Sequence, residues 1–119
     1  WTYSDGQSFY SPSSCSQLFR HSNGNMYWIG NLVPENPRGN SPRYPLVVGV
    51  VNQTSLLLER RSVLAVDDRK PDESTDMTLS SFLVDEDRVT HELLIYLSRL
   101  HTRGQKDWTS DVVLHRVEV

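Results

Sequence analysis

Residues 11–51 read SPSSCSQLFRHSNGNMYWIGNLVPENPRGNSPRYPLVVGVV, and this stretch decides the fold. Ser14 to His21 alternates imperfectly, with Cys15, Leu18 and Phe19 as the expected buried side chains. Ser22-Asn23-Gly24-Asn25 follows, and Asn-Gly between apolar runs is a strong hairpin signal because both residues tolerate positive φ. Met26 to Ile29 is the returning strand, with Trp28 read as a core side chain. Leu32 to Pro42 holds three prolines and no apolar period, which makes it a long polar loop. Tyr44 to Val51 is near-continuously apolar and reads as a strand buried on both faces.

Outward from this stretch the same grammar continues. Before it, Asp5-Gly6 marks a turn, and Tyr10-Ser11-Pro12 is an extended approach, since a residue preceding proline avoids helical angles. After it, Asn52-Gln53-Thr54 is a turn, Leu56 to Leu58 and Ser62 to Val66 are strand candidates, and the charged run Asp67 to Asp76 is an exposed loop. Leu79 to Val84 and Glu92 to Leu100 form a second hairpin around Asp85 to His91. Helix propensity also allows Glu92 to Leu100 as a short helix, but the echo of the first hairpin about sixty residues earlier favours a strand. In that strand Leu93, Ile95 and Leu97 share one face, and Leu94, Tyr96 and Ser98 share the other. Asp111 to Val119 alternates and closes the chain. An all-β chain is expected, with blade-like units at about 11–67 and 79–119.

Bulk properties narrow the function classes. A chain of 119 residues with 37% hydrophobic residues can fill one core. A net charge of −3 lacks the basic excess of a nucleic-acid binder, and no apolar run reaches the ~20 residues of a spanning helix. Cys15 is the only cysteine, so no intrachain disulfide forms and the redox compartment stays open. The opening Trp1-Thr2-Tyr3-Ser4 has no basic-then-apolar leader pattern. The four histidines have no zinc-like spacing, and no cofactor or metal is expected.

The segment from Phe9 to Val51, with the later DDR, LSSFLVDEDR and DWTSDV, resembles the sialidase-like (neuraminidase-like, BNR-repeat) propellers, and among them the bacterial glycoside-hydrolase-like members. The resemblance covers nearly the whole chain and implies that residues 1–119 are the C-terminal portion of a six-bladed propeller, about two antiparallel four-stranded blades. It implies a glycoside hydrolase acting on an acidic or decorated glycan; the alternative is a noncatalytic glycan-binding propeller or scaffold piece. The partners implied are a carbohydrate and the remaining blades of a longer chain, or self-association through open strand edges, without nucleic acid or membrane. An extracellular or periplasmic setting would suit the full-length protein. Arg43 resembles one of the family's three carboxylate-binding arginines. Leu79 stands where the family's tyrosine nucleophile would follow it. Trp1-Thr2 and Trp108-Thr109 resemble the ends of the family's aspartate box.

The candidate site residues follow from the chemistry of the loop. Glu35 is the acid/base carboxylate; glycoside hydrolysis calls for a second one ~5–9.5 Å away, which is sought among Asp85, Glu86 and Asp87, with Asp85 and Asp87 the catalytic candidates, unless their run is a solvated turn. Arg43, and less directly Arg38, suit a substrate carboxylate because the rigid guanidinium fork matches two oxygens. Arg43 is equally suited to tie the loop to a neighbouring blade. Asn31, Asn36 and Asn40 offer hydrogen bonds to sugar hydroxyls, or to their own loop backbone. Tyr44 offers a sugar-stacking face.

Overall fold

The computed structural model describes residues 1–119 and is all-β, with two antiparallel sheets that do not close into a barrel. The first sheet runs in chain order: β1 (Gln17–Arg20), β2 (Met26–Asn31), β3 (Leu46–Val51) and β4 (Leu64–Asp67). The second contains β5 (Thr78–Glu86), β6 (Leu93–Leu100) and β7 (Val112–Val117), again in chain order. It therefore has three strands where four were expected. Leu56 to Leu58 contributes only isolated bridges, from Leu58 to Tyr3 and Val51, and a single 3₁₀ turn at Arg60–Ser62 precedes β4. Of Glu92 to Leu100, Leu93–Leu100 resolves as strand, because alternate side chains on it have a core to fill.

One core joins the two sheets. Tyr27 and Ile29 of β2, Leu46 and Val48 of β3, Met77 and Leu79, and Leu93, Ile95 and Leu97 of β6 are all buried in it. The period of two places these residues on the facing sides. A shortest Cα extent of 20 Å matches two layers packed about 10 Å apart. Two bulges break the alternation. One between Thr78 and Ser81 turns both Leu79 and Phe82 inward although they are three residues apart. The other sets Asp67 opposite Leu46 and Ala65 opposite Val47, so Val66 is the extra residue and Asp67 faces the second sheet.

The outer side of the first sheet corrects three expectations. Cys15 and Leu18 are exposed, and Trp28 is half-buried away from the shared core. Trp28 lies along its own strand: a Cβ on Gly30 would come within 2.5 Å of the indole ring, so only glycine leaves room there. Phe9 from the N-terminal segment tilts against Trp28 at 6.3 Å between ring centroids. The β1–β2 turn forms as expected, although only Gly24 takes positive φ.

The connections divide the molecule into two ends. Segments 32–45, 68–77 and 101–111 emerge at one end, and turns 21–25 and 87–92 with the 52–63 connection lie at the other. No helix is long and apolar enough to cross a membrane.

Candidate functional site

The long-loop end is built around Asn31. As the last residue of β2, on its core-facing side, Asn31 is fully buried. Its Nδ2 donates to the carbonyls of Arg43, Pro45 and Leu79, each at 3.2 Å, and its Oδ1 accepts from Ser14 Oγ at 2.9 Å. Of the two roles expected for Asn31, a sugar hydroxyl or nearby backbone, the structure shows the second: its amide is taken up by carbonyls of the 32–45 connection and of β5, and it serves as the clamp that seats Arg43.

Arg43 is half-buried and spans the sheets at this end. Its backbone bridges Thr78 in parallel, with Leu79 N–H donating to its carbonyl at 2.9 Å. Its Nε donates to the Asn40 carbonyl at 2.8 Å and its Nη1 reaches Ser80 Oγ at 3.4 Å. Arg43 makes no salt bridge, whereas Arg60, Arg99 and Arg116 each pair with carboxylates. The structure shows the tying role read from the sequence: the residue joins loop to sheet. Cis peptide bonds precede Pro42 and Pro45 on either side of it.

The rest of the loop forms a rim. Glu35, Asn36, Arg38 and Asn40 are exposed, and Arg38 and Ser41 close a small bridge through their backbones. Tyr44 departs from expectation. The Arg69 guanidinium lies 5.6 Å from its ring centroid and its hydroxyl donates to Thr75 O at 3.4 Å, so one ring face is covered and no open platform remains there.

The paired-carboxylate expectation fails on distance. Asp85 and Asp87 lie at the far end of β5, whose start holds Leu79 beside Arg43 and Asn31. Six residues of strand, at ~3.3 Å each, separate Leu79 from Asp85 by roughly 20 Å, well beyond the reach of a hydrolytic pair. Asp87 is a turn residue: its Oδ1 accepts from Val89 and Thr90 N–H, and its Oδ2 meets Arg116 at 3.0 Å. Those backbone donors, then Arg116, hold its carboxyl below the usual range. Asp85 is exposed and its Oδ1 accepts from Glu86 N–H at 2.8 Å.

Sequence reasoning did not foresee two clusters, although it named Glu86 among the possible second carboxylates. At the far end, Glu86 accepts from Ser22 Oγ, from His91 Nδ1 at 2.8 Å and from Ser22 N–H at 2.9 Å. These donors, in that order, depress its carboxyl to about 2. Ser22 Oγ also lies 3.2 Å from His91 Nδ1. Serine and carboxylate therefore meet the same ring nitrogen, whereas a hydrolase triad requires opposite nitrogens; the cluster is a latch between two turns. Buried His21 completes it, with Nε2 2.8 Å from His91 O and Nδ1 accepting from Asn23 N–H.

At the long-loop end, Arg99 of β6 binds Asp67, Glu73 (2.7 and 2.8 Å) and the Asp68 carbonyl. Burial would raise the Asp67 carboxyl, but hydrogen bonds from Arg99 and His115 and the Arg99 charge outweigh it and lower it. The signal for this cluster was an arginine at an inward position of an apolar strand. No group of three or more His, Cys, Asp or Glu is arranged to hold a metal ion.

Comparison with protein-family models, with curated proteins and with solved structures gave no match to this chain.

Proposed function

We propose that residues 1–119 are two neighbouring blades of a sialidase-like propeller that recognises an acidic or decorated glycan through Arg43. The observation that carries this is the guanidinium of Arg43: half-buried, fixed by neutral acceptors at two of its nitrogens, and paired with no carboxylate. A fork held in that way is pre-organised for two carboxylate oxygens, and partial burial strengthens the interaction. Arg38, Asn36 and Asn40 on the exposed rim supply further contacts to the same ligand.

The topology supports the blade assignment. Each sheet is a meander in chain order, as in a propeller blade, whereas an immunoglobulin-like sandwich exchanges strands between sheets. The second sheet is one strand short of the first, so the outer edge of β7 is the place for a strand from the remaining blades. Recognition is the function favoured over hydrolysis, because Asp85 and Asp87 are remote from Glu35. A hydrolytic form of the protein would need its second carboxylate from other blades.

Binding of sialic-acid-bearing and uronate-bearing glycans, measured beside their neutral counterparts, tests the proposal. Arg43→Ala is expected to weaken binding of the acidic glycans by about 10- to 100-fold, the range of a charge-assisted hydrogen-bonded pair. Arg43→Lys should restore only part of it, since a point charge lacks the fork. Equal affinity of Arg43→Ala and the parent protein for every acidic glycan overturns it.

A further inference from the structure

We infer that the polar cleft between connections 68–77 and 101–111 is a second saccharide subsite, taking the sugar unit next to the one whose carboxylate Arg43 receives. This rests on the preceding assignment of Arg43 and extends it. The cleft encloses about 590 Å³, within the range of small-ligand sites. Val113 is its one hydrophobic lining residue, so an apolar ligand has nothing to bury against.

The wall chemistry selects a polyol. Lys70 and Arg103 present cationic donors that enter no salt bridge, Thr102, Thr109 and Ser110 present hydroxyls, and Asp111 presents a carboxylate acceptor. Arg99 is committed to Asp67 and Glu73 and acts as a rigid part of the wall. A phosphate or sulfate would meet repulsion from Asp111, whereas sugar hydroxyls both donate and accept and so match every one of these groups.

One further observation points to a ligand at this connection, at Trp108, the chain neighbour of the lining residue Thr109. Trp108, 75% exposed, is held edge-on by His101 at 4.7 Å between ring centroids and shows solvent a broad ring face. Asp107 fixes the turn that presents it, accepting from Thr109 N–H at 3.1 Å and Thr109 Oγ1 at 2.5 Å.

The cleft lies within a short glycan's reach of Arg43. Thr78 bridges Arg43 on one side and pairs with Leu100 on the other, which sets the two backbones about 10 Å apart, two strand spacings.

The test compares matched ligands by calorimetry on the 119-residue protein: sialic acid against sialyllactose, and galacturonic acid against its trimer. At least one oligosaccharide is expected to bind about tenfold more tightly than its monosaccharide. Trp108→Ala, and separately Lys70→Ala with Arg103→Ala, should erase that preference while leaving monosaccharide affinity unchanged. Arg43→Ala should weaken both members of the pair equally. Loss of the preference in the cleft variants with no effect of Arg43→Ala would sustain the subsite and refute the Arg43 assignment. Absence of any preference in the parent protein, or its survival in both cleft variants, overturns the subsite.

Discussion

Asn31 shows how one side chain can serve site and fold together. Two N–H hydrogens face three carbonyls contributed by the loop and by β5, in a position closed to water. Asn31→Leu would leave these carbonyls short of donors, and an unsatisfied buried polar group costs about 1–3 kcal/mol. We expect a loss of roughly 2–4 kcal/mol in urea denaturation once the poor fit of leucine is added. Asn31→Asp should be worse at neutral pH, because a carboxylate would be aimed at carbonyl oxygens. Ser14→Ala, which removes one half-buried partner, should cost only about 1 kcal/mol. An Asn31→Leu protein as stable as its parent would show that the clamp has no energetic weight.

At the scale of elements, the two sheets are fastened at both ends by different chemistry. The far end depends on Glu86, which links the β1–β2 turn to the β5–β6 turn. Its carboxyl is depressed to about 2 in the folded protein, against ~4.3 in an unfolded chain. The contribution of Glu86 to stability is therefore complete above the unfolded value and disappears as pH falls through about 2. Urea midpoints measured from pH 6 down to pH 2.5 should fall more steeply for the parent than for Glu86→Gln, which has no proton to take up. Parallel curves would refute the latch. At the other end Arg99 holds Asp67 and Glu73 in the same sense, so the pH dependence of the Glu86→Gln protein is reduced but not abolished.

For the molecule as a whole, the telling feature is an apolar outer face. Leu83, Tyr96 and Leu114 align across β5, β6 and β7 on the side away from the core, and each is substantially exposed, Leu83 at 72%. Val112 extends the patch beside the unpaired edge of β7. A self-contained sandwich would carry polar residues there, whereas a blade carries the side chains that pack its neighbour. The isolated 119-residue polypeptide is expected to self-associate with rising concentration. Leu83→Lys with Leu114→Lys should return it to a monomer in sedimentation velocity without lowering its thermal midpoint. A parent protein that stays monomeric at all concentrations would argue for a closed two-sheet unit.

Strand identity was legible in the sequence because it depends on near-neighbour patterning. Met26 to Ile29, Tyr44 to Val51 and Leu93 to Leu100 each carry their period or apolar run locally, and Asn23-Gly24 marks its own turn. The loop from Leu32 to Pro42 was legible for the same reason, since three prolines and no apolar period leave a chain little else to be; it runs on through Arg43 to Pro45 before β3 begins at Leu46. Burial of Cys15, Leu18 and Trp28 was misjudged because alternation tells two faces apart without saying which one a second sheet will cover. The carboxylates at 85 and 87 were misplaced because convergence of loops depends on the end of the sheet from which each emerges. The clamp at Asn31, the latch at Glu86 and the Arg99 pairs join residues up to 70 positions apart. Only tertiary structure decides such contacts, because strand register and bulges set the partner of each polar group, and no local preference encodes a register.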